Sequence, residues 1–381
     1  ILFWRNTMSK PRVIAFYLPQ FHPTPDNDNW WGKGFTEWTN VGKAKKLFLG
    51  HYQPKVPADL GYYDLRLPEV REEQAKLAKE AGIEGFCYWH YWFGNKKEIL
   101  ERPFKEVLES GKPDFPFCLG WANESWKKKL WNKDAIGDTI IQKQEYGGIT
   151  DYTEHFYSVL PAFKDKRYLR VENKPIFLIY KPFDSTEIPN FIKCWNELAK
   201  KEGLEGIYWI AHCADEKHTY EEYFNLGFEH INTCYILRYF EHRSFLKKVI
   251  DKSIKCICNT PTKEKYSRIA KAFYPERDFT DSRIIPTIIT GWDHTPRSGK
   301  KGVAMTDYTP TTFRKVLSNL LDKKYNTIQY NTIQYNTSEA DNLIFLKSWN
   351  EWGEGNFIEP ELRYGKDFLN VLREELNKYQ Q

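Results

Sequence analysis

Eight short apolar runs recur along this 381-residue chain, at 13–18, 85–91, 117–121, 176–180, 208–212, 231–236, 284–290 and 343–349. Most carry no polar alternation. A strand with one wet face alternates polar and apolar residues, whereas a strand covered on both faces reads as a continuous apolar run. Stretches of helical spacing separate the runs, near 68–81, 98–110, 151–165, 189–202, 219–226, 310–322 and 366–379. The clearest opens on Pro68-Glu69-Val70, with acids early and Gly82 as its stop. Eight buried strands alternating with about as many helices predict an α/β fold, a (β/α)8 TIM barrel, and the length suits one such domain. A doubly wound open sheet is the alternative. No G-x-G-x-x-G or G-x-x-x-x-G-K follows any run, so a nucleotide-binding crevice has no support.

Three long pieces fall outside the alternation, at 19–67, 122–150 and 237–282. The first two carry Trp, Tyr, Gly and Pro at loop density, which predicts long aromatic-rich loops over the C-terminal face of the barrel. The third is a basic insertion: from Arg243 to Lys271 there are nine Lys or Arg against Asp251 and Glu264. It reads as a solvated helical face. The sharper alternative is peripheral contact with an anionic membrane or glycan through 243–271. The net charge of +5 is mild, and no nucleic-acid partner is expected. Of seven cysteines, Cys87, Cys118, Cys213 and Cys234 lie in apolar runs, and Cys256 and Cys258 are too close for a relaxed disulfide. Free thiols point to a reducing, cytoplasmic compartment. Met8-Ser9-Lys10 looks like a natural start, so 1–10 is read as an extension and 11–381 as a single catalytic domain. Residues 325–337 repeat Tyr-Asn-Thr-Ile-Gln in tandem, which reads as a loop expansion before the last strand.

In a barrel of this kind the reactive side chains come from the C-terminal ends of the strands and the loops beyond them. The last run breaks into Trp349-Asn350-Glu351-Trp352-Gly353-Glu354-Gly355. Two carboxylates three residues apart repel, so one should titrate high and the other low, as acid/base work at a sugar requires. A solvated turn with two surface glutamates is the plain alternative. The other strand ends supply Tyr17, His90, Trp121, Asn123, Glu124, Trp292, Asp293 and His294, which with Trp349 and Asn350 make an acidic, aromatic and amide-rich set suited to sugar hydroxyls. His90 reads equally well as a packed histidine, Glu124 as a partner of Lys127 or Lys128, and Asp293 with His294 as a turn before Pro296. His90, His212 and His294 lack any H-E-x-x-H spacing, so neither metal nor cofactor is expected. The absence of a G-x-S-x-G elbow speaks against an esterase.

Several long motifs, in order, carry a resemblance over nearly the whole chain. They include Phe16-Tyr17-Leu18-Pro19-Gln20-Phe21-His22-Pro23, Trp30-Trp31-Gly32-Lys33-Gly34-Phe35-Thr36-Glu37-Trp38 and Gly85-Phe86-Cys87-Tyr88-Trp89-His90-Tyr91-Trp92-Phe93. Asp114 to Glu124 and Gly291-Trp292-Asp293 add to them. These resemble the WbsX-type proteins, often encoded among bacterial O-antigen or capsule biosynthesis genes and described either as glycosyltransferases or as glycoside hydrolase family 99-like. The resemblance to family 99 implies a metal-independent, retaining (β/α)8 endo-α-mannosidase type of chemistry. It implies that Glu351 assists the sugar's own 2-hydroxyl as it attacks C1, and that Glu354 protonates the leaving oxygen and then activates water. The chain departs from those hydrolases at Gly353, where they usually carry histidine. The expected activity is hydrolysis of an α-linked, mannose-like glycan of bacterial surface polysaccharide. A glycosyltransferase of lipopolysaccharide biosynthesis and a non-catalytic glycan-binding barrel are the alternatives.

Overall fold

The computed structural model describes residues 11–127, 139–334 and 342–379. All eight apolar runs are strands: β1 (Arg12–Tyr17), β2 (Ile83–Trp92), β3 (Phe117–Trp121), β4 (Lys174–Ile179), β5 (Tyr208–Cys213), β6 (His230–Thr233), β7 (Ile284–Ile289) and β8 (Leu343–Lys347). Each pairs in parallel with the next. β1 also pairs with β8, Val13 lying beside Ile344 on one side and Ile83 on the other, so the sheet closes into a barrel. Closure leaves no edge, and nearly every strand residue is buried.

The outer helices are α1 (Pro68–Glu80), α2 (Arg102–Ser110), α3 (Gly148–Lys164), α4 (Ile188–Lys201), α5 (Tyr220–Asn225), α6 (Phe245–Cys258), α7 (Pro310–Gln334) and α8 (Asp367–Asn377). Proline at the first turn of α1, α2 and α4 starts each where its missing N–H costs nothing. α1 turns Gln74, Leu77 and Ala78 inward, and Tyr17 of β1 donates its hydroxyl to Gln74 Oε1 at 2.7 Å.

β2 shows how strand alternation sorts side chains between the two layers. Trp89 turns into the barrel, its indole Nε1 3.2 Å from Glu351. His90 turns out to α3, its Nε2 2.8 Å from that of His155. Trp92, also outward, stacks on the His155 ring at 4.7 Å and donates to Asp151.

Two readings of the chain need correction. α7 runs to Gln334, so the first two copies of the tandem segment extend a helix instead of forming a loop; Tyr325 is buried and stacks on Tyr379 at 4.5 Å, which anchors that extension. The third copy lies outside the described residues, as do residues 1–10 and Lys128. The basic insertion is folded rather than a plain charged face. It contains α6 and a strand, Thr262–Lys265, paired in parallel with Val303–Thr306 beyond β7. Arg243 is buried there between Asp251 and Glu264, and Arg268 pairs with Glu264, so part of the positive charge is neutralised internally. Cys87, Cys118, Cys213 and Cys234 are buried free thiols. Among the described residues no helix is long and apolar enough to cross a membrane.

Candidate active site

The two glutamates sit on a tight hairpin beyond β8. Asn350–Glu351 pairs antiparallel with Asn356–Phe357 around a single 3-10 turn, Trp352–Glu354. Ser348 holds the near side, accepting from Glu351 N–H at 3.0 Å and donating to Asn356 O at 2.5 Å. Asn356 spreads its amide over Thr290 Oγ1, Gly291 O and Lys347 O, locking the hairpin to the end of β7. Gly355 closes the turn at φ +57°, and a Cβ there would meet Asp293 at 2.7 Å. Only glycine meets both demands.

Glu351 and Glu354 act on each other and lie in opposite fields. Glu351 is buried, and its Oε1 accepts from Lys347 at 2.8 Å and from Trp89 at 3.2 Å. Burial lifts its carboxyl above the ordinary range, with Glu354 adding to the rise and Lys347 opposing it. Burial also acts to raise Glu354, but the ion pair with Arg297, then Lys347 and His294, hold it far below the ordinary range. The pair therefore carries its last proton on Glu351. Those opposed directions agree with the expectation from their spacing. The proton, however, rests on the partner opposite to the acid that the family 99 resemblance implies.

Arg297 organises the pair from outside. Beyond its contact with Glu354 it makes a two-point pair with Glu37, Nε to Oε1 and Nη2 to Oε2, both 2.9 Å. Glu37 is buried on a short helix, Glu37–Gly42, in the loop after β1, where Asn40 also donates to it at 3.2 Å. A Cβ on Gly353 would stand 1.7 Å from Glu37 Oε1 and 3.0 Å from Arg297 Nε. The glycine between the two glutamates is thus the room into which the Glu37 carboxylate projects.

Three aromatic residues face the carboxylates across the mouth. Trp89 stacks flat on Phe16 at 4.8 Å and edge-on to Tyr180 at 5.3 Å. Burial raises the phenols of Tyr91 and Tyr180, and the charges of Glu351, Glu354 and the half-buried Glu124 add to it, so all five groups share one field. His212 fills the barrel below, its Nδ1 2.8 Å from Asn232 Oδ1 and its ring 5.2 Å from Tyr180; burial pushes it down to about 3.

Of the ten candidate contact residues, the structure brings Glu124, Trp292 and His294 to this mouth. His294 lies 3.7 Å from Glu354, with the Trp292 ring stacked on it at 5.8 Å. Asp293 is buried behind the hairpin, accepting from His51, Gln53 and Thr295; burial opposes, but these donors and Lys55 hold it down to about 2. Six others are committed elsewhere. Tyr17, His90 and Trp121 face the helix layer, Trp121 packing on Phe191 at 4.8 Å and His155 at 5.0 Å. Burial holds His90 down at about 4. Asn123 staples Tyr146 to the backbone of Lys181. Asn350 brackets the backbone of Leu18, and Trp349 is fully buried against Phe86. Strand alternation, counted one residue differently, gives Trp89 and Tyr91 in place of His90. Nothing local announces Glu37 or Arg297, because each acts through a partner more than fifty residues away. Among the described residues no cluster of three or more His, Cys, Asp or Glu is arranged to hold a metal ion.

The sequence model described as "Glycosyltransferase WbsX" matches residues 13–372. An "Uncharacterized protein WxcX" from Xanthomonas campestris pv. campestris strain B100 is 32% identical over 383 residues, covering 96% of this chain and 50% of its own length. The chain therefore spans about half the length of the curated relatives it matches. Among solved structures, a "Glycoside hydrolase-like protein" superposes with a TM-score of 0.61 at 14% identity, over 97% of this chain and 95% of its own. A GH99 endo-alpha-mannosidase from Bacteroides thetaiotaomicron does so with a TM-score of 0.54 at 14% identity, over 97% of each chain. At such identities these likenesses establish the fold. The family match, spanning nearly the entire barrel, makes this chain a member of the WbsX family.

Proposed function

We propose that this protein is a retaining glycoside hydrolase acting on an α-linked, mannose-like glycan of bacterial surface polysaccharide, with Glu351 and Glu354 as its catalytic pair. The observation that carries the reading is the pair itself: a buried Glu351 and a half-buried Glu354 at the barrel mouth, driven in opposite directions. The fold shared with an endo-alpha-mannosidase supports the substrate class. Trp89, Tyr91 and Tyr180 offer the ring faces and hydroxyls a sugar needs, with Glu124, Trp292 and His294 at the rim.

In the proposed reaction Glu351 takes the proton of the sugar 2-hydroxyl as that oxygen attacks C1, and Glu354 protonates the departing oxygen. Water then opens the anhydro sugar with the protons returned. The free protein stores the proton on Glu351, so binding must transfer it to Glu354, and Arg297 is the group that opposes the transfer. Attack through a neighbouring hydroxyl differs from direct attack by a carboxylate, although both retain configuration.

The test is incubation with a panel of α-mannosides and bacterial polysaccharides beside Glu351→Gln and Glu354→Gln, with products read by mass spectrometry. Oligosaccharides released by the wild type alone are expected, each variant losing at least about 10²-fold in rate. Unchanged turnover in Glu354→Gln would sink the mechanism. The family's glycosyltransferase description sustains a second reading, and calorimetric binding of a sugar nucleotide with no release of oligosaccharide would favour it. Tight glycan binding without any turnover would leave a binding barrel.

A further inference from the structure

α6 is built inside out. Phe245, Leu246, Val249, Ile250 and Ile257 are 83%, 68%, 44%, 43% and 83% exposed. At 100° per residue Leu246, Val249, Ile250 and Ile257 fall on one stripe, with Phe245 along its edge. Lys247 borders the stripe on one side, whereas Lys248 lies with Asp251 on the far face. Lys247 reaches Asp251 at 3.5 Å with 44% of its side chain exposed, and Lys248 donates to Glu241 O at 2.8 Å. Asp251 lies on the far face, tied to the buried Arg243, which in turn holds Glu264 and covers the rings of Tyr239 and Phe240. Arg243 ties the polar side of the helix to Glu264, and the apolar side faces solvent.

An apolar stripe bordered by Lys247, on a segment with nine Lys or Arg against two acids from Arg243 to Lys271, has a specific physical complement. Lysine is depleted at the core of protein interfaces, whereas in the plane of a bilayer the stripe enters the acyl boundary while the ammonium groups stay among anionic headgroups. We propose that α6 is an interfacial helix that docks this protein on an anionic lipid surface. The helix belongs to the connection between β6 and β7 and is tied to the rest of the protein through Arg243 and Glu264. The inference stands independently of the glycosidase reading.

The experiment is sedimentation of the whole chain with phosphatidylcholine vesicles, with and without about one-third phosphatidylglycerol. The wild type should pellet with the anionic vesicles and bind the neutral ones at least ~10-fold more weakly. Leu246→Ser with Ile250→Ser should lower anionic binding at least ~10-fold, since both groups already face water and need no refolding to lose contact. Lys247→Gln with Lys248→Gln should weaken binding to anionic vesicles alone. Thermal melts matching the wild type establish that the variants are folded. Absence of wild-type pelleting, or variants that pellet like the wild type, would overturn the proposal. A dimer in sedimentation velocity that both variants dissociate, with no vesicle binding, would assign the face to a second copy and overturn it equally.

Discussion

Two acidic side chains can differ this much in proton affinity only because their neighbours differ. Glu351 meets one ammonium in a buried setting, while Glu354 meets a guanidinium with a histidine behind it. Removing the Arg297 charge raises the lower apparent pKa of the pair directly and the upper one by a smaller amount. Arg297→Gln should therefore move the acid limb of the bell-shaped kcat/KM profile toward neutral pH, and the whole bell upward; an unmoved acid limb would refute this. Gly353 makes a steric prediction. Gly353→Ala drives a methyl into Glu37 and should cost about 1–3 kcal/mol in denaturant unfolding. In a Glu37→Ala background that cost should shrink, and a double-mutant cycle reads the difference. The two glutamates were legible in the sequence because chemistry and spacing coincide within one segment. Glu37 and Arg297 were not, since their meaning lies in a pair formed across 260 residues.

At the level of elements, the hairpin is seated on a buried acid. Glu359 accepts from Tyr63 at 2.9 Å, Gln74 at 2.7 Å and Trp352 at 2.6 Å, and burial raises it from 4.5 to about 7. The folded state thus holds a proton that the unfolded chain gives up near pH 4.5. Its contribution is complete below that pH and lost as pH rises through about 7, a change of up to about 3 kcal/mol. Glu359→Gln should flatten that part of the stability–pH curve, as followed by Tm from pH 4 to 8. His90 belongs to the packing between β2 and α3. His90→Asn should cost about 1–3 kcal/mol in stability while leaving KM for any turned-over glycan unchanged. A raised KM at unchanged stability would return His90 to the site. The order and type of the barrel strands were legible because continuous apolar runs report burial on both faces. Which face each aromatic residue takes was not, because a run of Tyr, Trp and His reads alike in either phase.

For the molecule as a whole, the insertion shares the barrel's core through Tyr266, Ile269 and Phe273, while α6 stands out from it. Limited proteolysis should cut first within α6, whose apolar face is exposed, leaving two fragments that remain together on gel filtration because β1 still pairs with β8 and β6 with β7. Early cleavage within the barrel strands would contradict this. The barrel itself was readable from alternation and length, whereas the inverted helix was not, because its composition also fits an ordinary solvated face. The Arg297 bridge has a consequence in time. Glu37 leaves the ribosome long before Arg297, and Glu354 emerges after both, in the hairpin beyond the strand that closes the barrel against the first. No partial chain holds the assembled pair. A nascent or prematurely ended polypeptide thus lacks the Glu37–Arg297–Glu354 bridge until synthesis has passed the hairpin beyond β8.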